Sequence, residues 1–156
     1  MTWHIASESP DQPEVWQLVE ELDAYQQPLY PPESHHGIDL AALCQPKVLF
    51  AVLRDAQGTA QGCGAIVFGA QHGELKRMYV RPALRGQGAG RALLQWLEQQ
   101  ALARGCTTCV LETGVLQHQA LALYARAGYR PCEPFDDYRP DPLSVFLRKV
   151  LDVSAA

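Results

Sequence analysis

The sequence has no long apolar run and no excess of positive charge. Its longest nearly unbroken apolar stretch covers residues 63–70, whereas a membrane-spanning helix needs about 20 apolar residues. Lys and Arg total 13 against 17 Asp and Glu, which gives a formal net charge of −4. Nucleic-acid binders use surplus basic surface to displace counterions. We therefore expect neither a membrane partner nor a nucleic-acid partner.

Signals for export, disulfides and metal binding are also missing. Residues 1–10 have no basic start followed by an apolar run, so we expect no signal peptide. The five cysteines are an odd number, and they favour a reducing, cytoplasmic setting. The pair Cys106 and Cys109 lacks the further ligands of a zinc site, so we expect no metal. With 156 residues, 47% of them hydrophobic, the chain fits a single domain over residues 1–156.

Apolar periodicity and turn residues predict the order of helices and strands. The predicted helices are residues 10–26, 38–44, 88–103 and 119–127. The predicted strands are residues 48–53, 62–68, 74–80, 107–112, 129–132 and 143–150. In the first helix Asp11 can act as the N-cap, with Glu14 completing a capping box. Hairpins followed by a strand–helix–strand unit indicate an α/β fold with a mixed sheet.

The run VRPALRGQGAGR, residues 80–91, has the pattern of a phosphate-binding loop. Three alternating glycines lead from a strand into a helix, where the backbone can approach a ligand closely. The first helical turn has amide hydrogens without partners, and the helix dipole makes that end positive. The arginines Arg85 and Arg91 add charged donors. The spacing matches neither the dinucleotide fingerprint nor the NTPase loop.

This glycine spacing, after a strand that ends in valine, resembles the acyl-CoA loop of the GCN5-related N-acetyltransferase (GNAT) superfamily. Downstream, a strand and then a helix with Tyr124 before Gly128 and Tyr129 follow the order of that family. The resemblance covers roughly residues 47–150. It implies the GNAT fold: one mixed, mostly antiparallel sheet of about six to seven strands, flanked by helices, with splayed central strands. It extends to a small bacterial subgroup through residues 29–34, 111–114 and 135–146.

The resemblance implies acetyl-CoA as the acyl donor. In the family, the strand before the loop pairs its free backbone groups with the pantetheine arm, and the loop cradles the pyrophosphate. The residues thereby expected to bind the coenzyme are Met78, Tyr79, Val80, Arg85, Gly86, Gln87, Gly88, Ala89, Gly90, Arg91 and Gln117. Gln117 stands where the family often has asparagine; it keeps the amide chemistry with a longer reach.

Two residues are candidates for the proton transfers of acetyl transfer. Tyr124 matches the family tyrosine near the coenzyme sulfur, where a phenol can donate to the leaving thiolate. Glu74 lies six residues before Val80, where protein-acetylating members carry a general-base glutamate. Strand alternation predicts that Glu74, Lys76, Met78 and Val80 share one face. Glu112 is the rival carboxylate, and the choice among Glu74, Glu112 and water stays open here.

The acceptor pocket of the family is shaped by the segment between the first two helices. We therefore expect Tyr30 and His35 to contact the acceptor. Glu112 can serve as the base, as a third acceptor contact or in a structural ion pair with an arginine, and the sequence does not choose among these roles. The resulting hypothesis is an acetyl-CoA-dependent N-acetyltransferase that acts directly on a primary amine of a small molecule or peptide. The alternatives are a non-enzymatic acyl-CoA sensor and an acyltransferase with another acyl donor or an oxygen acceptor. Many members of the family form homodimers, a state compatible with this sequence.

Overall fold

The computed structural model of this chain describes residues 2–32 and 39–151. In that part four α-helices flank a seven-stranded sheet. The helices are α1 (Pro13–Gln26), α2 (Leu40–Leu43), α3 (Ala89–Ala103) and α4 (His118–Arg126). The strands are β1 (Trp3–Ser7), β2 (Val48–Asp55), β3 (Ala60–Phe68), β4 (Gly73–Val80), β5 (Thr108–Gly114), β6 (Arg130–Pro131) and β7 (Ser144–Val150). None of these helices is long and apolar enough to cross a membrane.

The sheet is mixed, as the sequence predicts. Its strand order is β1-β2-β3-β4-β5-β7-β6, and every neighbouring pair is antiparallel except β4 and β5. A parallel pair needs a long crossover, and here α3 provides it. The parallel pair lies in the middle of the sheet. There the chain passes from the hairpins of its first half to the strand–helix–strand unit of its second half.

Apolar side chains cover both faces of the sheet. On one face the α3 stripe of Leu93, Leu94 and Leu97 packs on Leu53 and Ile66, all fully buried. On the opposite face α1 packs through its own stripe. That second cluster includes Val15, Leu18 and Leu22 of α1 with Phe50 and Val52 of β2. Alternation along β2 sends successive residues to the two clusters, because side chains of a strand point to opposite faces.

The beginning of the chain differs from the prediction. Residues Trp3–Ser7 form an edge strand against β2 that the sequence pattern does not reveal. The first helix begins at Pro13, and its N-cap is Gln12 without a side-chain bond, so the predicted cap at Asp11 is wrong. Glu14 instead accepts bonds from Arg54 and from the Ala60 backbone N–H. Glu14 thus bonds residues of β2 and β3 instead of completing the local capping box.

The end of the chain keeps the predicted order with changed lengths. β5 runs on to Gly114, whereas β6 is only Arg130–Pro131. Between β6 and β7 lies a long loop, residues 132–143, with three prolines. This loop folds back toward β4, since Tyr138 bonds Lys76 and Glu74.

Candidate active site

The two central strands separate soon after they pair. β4 and β5 are in register only from Gly73 to Leu75, opposite Cys109 to Leu111. Beyond that point β4 continues along β3 as far as Val80, while β5 continues along β7 as far as Gly114. Among the described strands, none pairs with the β5-facing edge of β4 over its second half. This confirms the predicted splay.

A β-bulge at Arg77 changes which side chains share a face of β4. Arg77 has φ of 57°, and the register with β3 shifts between Cys63 and Ala65. Glu74 and Lys76 lie on the face that Tyr138 covers. Past the bulge, Met78 and Val80 pack against the α3 cluster instead. The predicted common face for all four residues is therefore wrong, because an extra residue restarts the alternation.

The opening between the strands is the mouth of a cavity of about 300 Å³. Its walls come from α1 and the turn after it, β4, the end of β5, α4 and, in the loop before β7, Tyr138 and Leu143. The residues that line it include Asp23, Tyr30, Glu74, Lys76, Arg77, Met78, Glu112, Gln117, Tyr124 and Tyr138. Both predicted catalytic residues and two of the three predicted acceptor contacts thus meet in one cavity. The third, His35, lies outside the described residues.

Glu74 is buried, with only 8% of its surface exposed. Its Oε2 accepts a hydrogen bond of 2.6 Å from the Tyr138 hydroxyl and lies 3.2 Å from the Lys76 ammonium. Lys76 Nζ also donates to the Tyr138 oxygen at 2.8 Å. Both contacts of the carboxylate fall on Oε2. Within residues 2–32 and 39–151 no side chain or backbone group bonds Oε1, which leaves that oxygen available to an acceptor or a bridging water.

Tyr138 is a site residue that the sequence analysis did not single out, although residues 135–146 belong to the subgroup resemblance and were expected beside the acceptor. It comes from the loop before β7, in a cluster of aromatic rings with Phe135 and Phe146. The same loop is tied to the β3–β4 hairpin by His72 and Asp136, 2.9 Å apart. Burial and the neighbouring Glu74 raise the pKa of Tyr138, so its phenol stays protonated and donates. The tyrosine lies 64 residues from Glu74 in the chain, and no local pattern predicts that contact.

Tyr124 lines the same cavity from α4. It is 6% exposed and packs edge-on against Tyr129, with ring centroids 5.6 Å apart. Burial raises the pKa of the Tyr124 phenol above its ordinary value of 10.0. Its hydroxyl has no hydrogen-bond partner in the described part of the chain. A buried, protonated donor that lines a cavity suits a group that protonates a leaving atom.

Glu112 and Tyr30, the two predicted acceptor contacts in the described residues, are held by hydrogen bonds to other parts of the chain. Glu112 Oε2 accepts a 2.7 Å bond from the Ser144 hydroxyl. The Tyr30 hydroxyl accepts the Leu116 N–H at 3.2 Å and occupies the space that a Cβ at Gly114 would need. Tyr30 thus fixes the turn after α1 to the end of β5. It forms part of the cavity wall at that end.

The amide of Gln117 faces the cavity from the residue before α4. Its Oε1 accepts a bond of 3.4 Å from the Gln26 side chain on α1. The site of the family asparagine therefore bridges two helices across the cavity. The Gln117 amide nitrogen has no partner in the described residues and can donate to a ligand.

The phosphate-loop prediction corresponds to an open backbone surface at the start of α3. Gly86 and Gly88 have φ of 78° and 88°, and no atom lies within 4 Å of where their Cβ atoms would be. The Gly88 carbonyl accepts the first helical bond, from Ala92 N–H. Among the described residues, the backbone N–H groups from Gly86 to Arg91 find no acceptor. Glycine suits both positions because φ is positive, and the free amides suit an anion.

Two side chains around this loop, Arg85 and Gln87, bond backbone carbonyls nearby, whereas Arg91 does not within the described residues. Arg85 donates its Nε–H to the Val80 carbonyl at 2.9 Å and lies over the Tyr79 ring, 5.7 Å from its centroid. Gln87 bonds back to the Ala83 carbonyl at 3.1 Å. Arg91 is exposed on the first turn of α3 and forms no ion pair within the described ranges. Arg91 can therefore pair with a bound phosphate without breaking another contact.

The cysteines do not form a reactive centre in the described residues. Cys106 donates to the Thr108 carbonyl at 3.3 Å, and Cys109 is buried in the core. Burial raises the pKa of Cys63 to about 12, so its thiol is neutral and donates to the Arg77 carbonyl. No three His, Cys, Asp or Glu side chains of residues 2–32 and 39–151 lie close enough together to hold a metal ion.

Comparison with known proteins gives the same assignment as the geometry. Residues 14–129 match the model of the acetyltransferase (GNAT) family. An "IAA acetyltransferase" of Azospirillum brasilense is 48% identical over 149 residues, which cover 94% of this chain and 97% of that protein. An uncharacterised N-acetyltransferase of Bacillus subtilis, YsnE, is 37% identical over 124 residues, 78% of this chain and 82% of that one.

Solved structures agree. A candidate acyl-CoA N-acyltransferase from Klebsiella pneumoniae aligns with a TM-score of 0.83 and 41% identity over 97% of this chain and 99% of its own. The PaiA N-acetyltransferase of Thermoplasma acidophilum, solved with coenzyme A, shares the fold at 18% identity with a TM-score of 0.73, over 96% and 99% of the two chains. With splayed strands, a glycine loop of free amides and relatives that align over nearly their whole length, this chain belongs to the GNAT family and is an acyltransferase.

Proposed function

We propose that this chain transfers the acetyl group of acetyl-CoA directly to a primary amine of a small molecule or peptide, without a covalent enzyme intermediate. The observation that carries the proposal is that Tyr124 and Glu74 line one cavity at the mouth of the splayed strands. A protonated phenol and a carboxylate with one open oxygen supply the two proton transfers of the reaction. Holding both substrates in one cavity adds proximity.

The donor is proposed to lie along β4 and across the start of α3. The unpaired edge of β4, at Met78, Tyr79 and Val80, offers backbone groups to the pantetheine arm. The amides from Gly86 to Arg91 and the Arg91 guanidinium suit the pyrophosphate. In this arrangement we expect the thioester to lie in the cavity that Tyr124 and Glu74 line.

The acceptor nitrogen attacks the thioester carbon, so a C–N bond forms and the C–S bond breaks. Glu74, through Oε1 or a water on it, takes the proton that the nitrogen loses. Tyr124 gives its proton to the departing thiolate, and exchange with solvent restores both groups.

The five cysteines are all free, which supports a reducing, cytoplasmic setting for this reaction.

The test is release of free coenzyme A thiol with a panel of amines and with IAA, which is part of the A. brasilense relative's name. We expect thiol release with at least one amine, and a kcat about 100-fold lower in Glu74→Gln, in the range of general-base catalysis. Glu112→Gln is the matched control; we expect it to raise the acceptor KM with a much smaller loss of kcat. Melting temperatures check that each variant is folded.

Three results would contradict parts of the proposal. A kcat loss in Glu112→Gln with full activity in Glu74→Gln would move the base to Glu112. Binding of acetyl-CoA without transfer to any acceptor would refute the transferase and favour an acyl-CoA sensor. Transfer only from longer acyl-CoA donors would replace the acetyl donor.

A further inference from the structure

A fixed cation stands beside the proposed base. Lys76 Nζ lies 3.2 Å from Glu74 Oε2, and both side chains are largely buried, with 17% and 11% of their surface exposed. Tyr138 locks the pair, since its oxygen accepts from Lys76 and its hydroxyl donates to Glu74. The negative charge of Glu74 is therefore offset inside the cavity, before any acceptor arrives.

The remaining charges of the cavity do not restore a strongly acidic surface. Asp23 of α1 is paired with Arg77 at 2.6 Å. Glu112 of β5 is bonded by Ser144. The phenols of Tyr124 and Tyr138 stay neutral, because burial raises the pKa of each. Among the described residues, the titratable side chains of the wall are three carboxylates, two cations and the tyrosine phenols.

This balance works against an acceptor that arrives as an ammonium ion. Such an ion at Glu74 Oε1 would gain attraction from the carboxylate but meet repulsion from Lys76 on the same group. Burial adds a desolvation cost for the charged form. A neutral amine meets neither cost and can still donate a hydrogen bond to Oε1. Its proton needs to leave only after the nitrogen has attacked.

From this geometry we infer that Lys76 is a specificity-determining residue that makes the site select weakly basic amines, such as α-amino groups, over lysine-type alkylamines. The inference rests on the proposed acetyltransferase function. It specifies the chemical class of the acceptor: a nitrogen that is substantially neutral near the working pH.

The experiment compares two acceptors of similar size in steady-state acetylation at pH 8.5. Alanine ethylamide has an α-amino group with a pKa of about 8, and pentylamine has an alkylamine with a pKa of about 10.4. At this pH the first is mostly neutral and the second is almost wholly protonated. The variants are Lys76→Gln, which removes the charge, and Lys76→Arg, which keeps it. Lys47→Gln removes one exposed charge outside the cavity as a matched control.

We expect the wild type to have the lower KM for alanine ethylamide. In Lys76→Gln the KM for pentylamine should fall about tenfold, while that for alanine ethylamide stays within about twofold. Lys76→Arg and Lys47→Gln should keep the wild-type pattern. A purely structural role for Lys76 would change both KM values together.

The outcomes separate this inference from the proposed function. Equal changes for the two amines, no change in Lys76→Gln, or a wild-type preference for pentylamine would overturn the inference and leave the acetyltransferase intact. Binding of acetyl-CoA without transfer to either amine or to any member of the wider panel would overturn both.

Discussion

Two tyrosines five residues apart are both buried but have different surroundings. The Tyr129 hydroxyl donates to the buried Glu98 at 2.8 Å, a bond within the core. The neighbouring Tyr124 hydroxyl lines the cavity and has no bond in the described residues. Burial is the first cause of the raised pKa at both phenols. Of the two tyrosines, Tyr124 is the one that lines the cavity, where the proposed reaction could use its proton.

Tyr124→Phe removes that proton and little else. We expect kcat for acetyl transfer to fall about 100-fold, as is typical for loss of a general acid, with the KM for acetyl-CoA nearly unchanged. Steady-state kinetics across pH measures this. Tyr25→Phe, at an exposed tyrosine outside the cavity wall, is the matched control. Unchanged turnover at every pH would show that Tyr124 is not the acid.

At the scale of elements, β4 is the strand that organises the site. Its first half pairs on both edges, and its second half turns an unpaired edge toward the cavity. Glu74 and Lys76 lie before the bulge at Arg77 and contact Tyr138, whereas Met78, after the bulge, packs on the core. Gly64 of β3 makes this arrangement fit, because the Met78 sulfur occupies the space that a Cβ there would need.

The start of α3 is the second element of the site, and an arginine tests it better than a glycine does. Any side chain at Gly88 would be strained, because φ there is 88°. Loss of binding in Gly88→Val would therefore mix backbone strain with lost phosphate contact. Arg91 is exposed in the first helical turn and can be changed without that strain.

We expect Arg91→Gln to raise the Kd for acetyl-CoA about tenfold in calorimetry, since a charge-assisted bond to phosphate is lost. Binding of acetylpantetheine, which lacks the pyrophosphate, should not change. Arg126→Gln, at the exposed end of α4, is the control and should bind both ligands as the wild type does. Undiminished acetyl-CoA affinity in Arg91→Gln would exclude this arginine from the phosphate site.

At the scale of the whole molecule, Arg54 joins the parts of the chain that come before β3. Its guanidinium bonds Glu8 after β1 at 2.8 Å, Glu14 on α1 at 3.1 Å and the Gly58 carbonyl at 2.8 Å. Hydrogen bonding from Arg54 lowers the pKa of Glu8. A bond from the Ala60 N–H, followed by the Arg54 bond, lowers that of Glu14. One cation thus holds the edge strand, the first helix and the β2–β3 turn together.

Because of this network, the stability of the fold should decrease as the pH becomes acidic. Because the pKa of each glutamate is lower in the folded chain than its ordinary value of 4.5, the stabilisation is present above about pH 4.5 and is lost as pH falls through the lowered values. We expect Arg54→Gln to lower the melting temperature by about 5 °C at pH 7 and by much less at pH 3.

Thermal melts from pH 7 to pH 3 measure the effect, with Arg126→Gln as the control that leaves the network intact. An equal loss in Arg54→Gln at both pH values would mean that Arg54 acts through packing of its stem. No loss at pH 7 would mean that the network does not stabilise the fold.

The sequence alone determined the features that depend on neighbours along the chain. Apolar periodicity predicted each strand from β2 to β7 and the cores of α1, α3 and α4. The glycine loop at residues 86–90 was predictable because helix N-termini bind anions through local backbone groups. With the family resemblance, the same local patterns led to Tyr124 and Glu74, which the structure brings to one cavity.

Only the tertiary structure decided how those pieces act together. The bulge at Arg77 exists only once β3 and β4 have paired. The bonds of Glu14 to Arg54 and of Tyr138 to Glu74 join residues that lie far apart in the chain. Such contacts depend on the register and burial of the folded sheet, which no window of sequence contains. The pairing of Lys76 with Glu74 became visible because both lie before the bulge, under one loop. The charge beside the proposed base was therefore a property of the folded cavity, whereas the glycine loop was already apparent in the sequence.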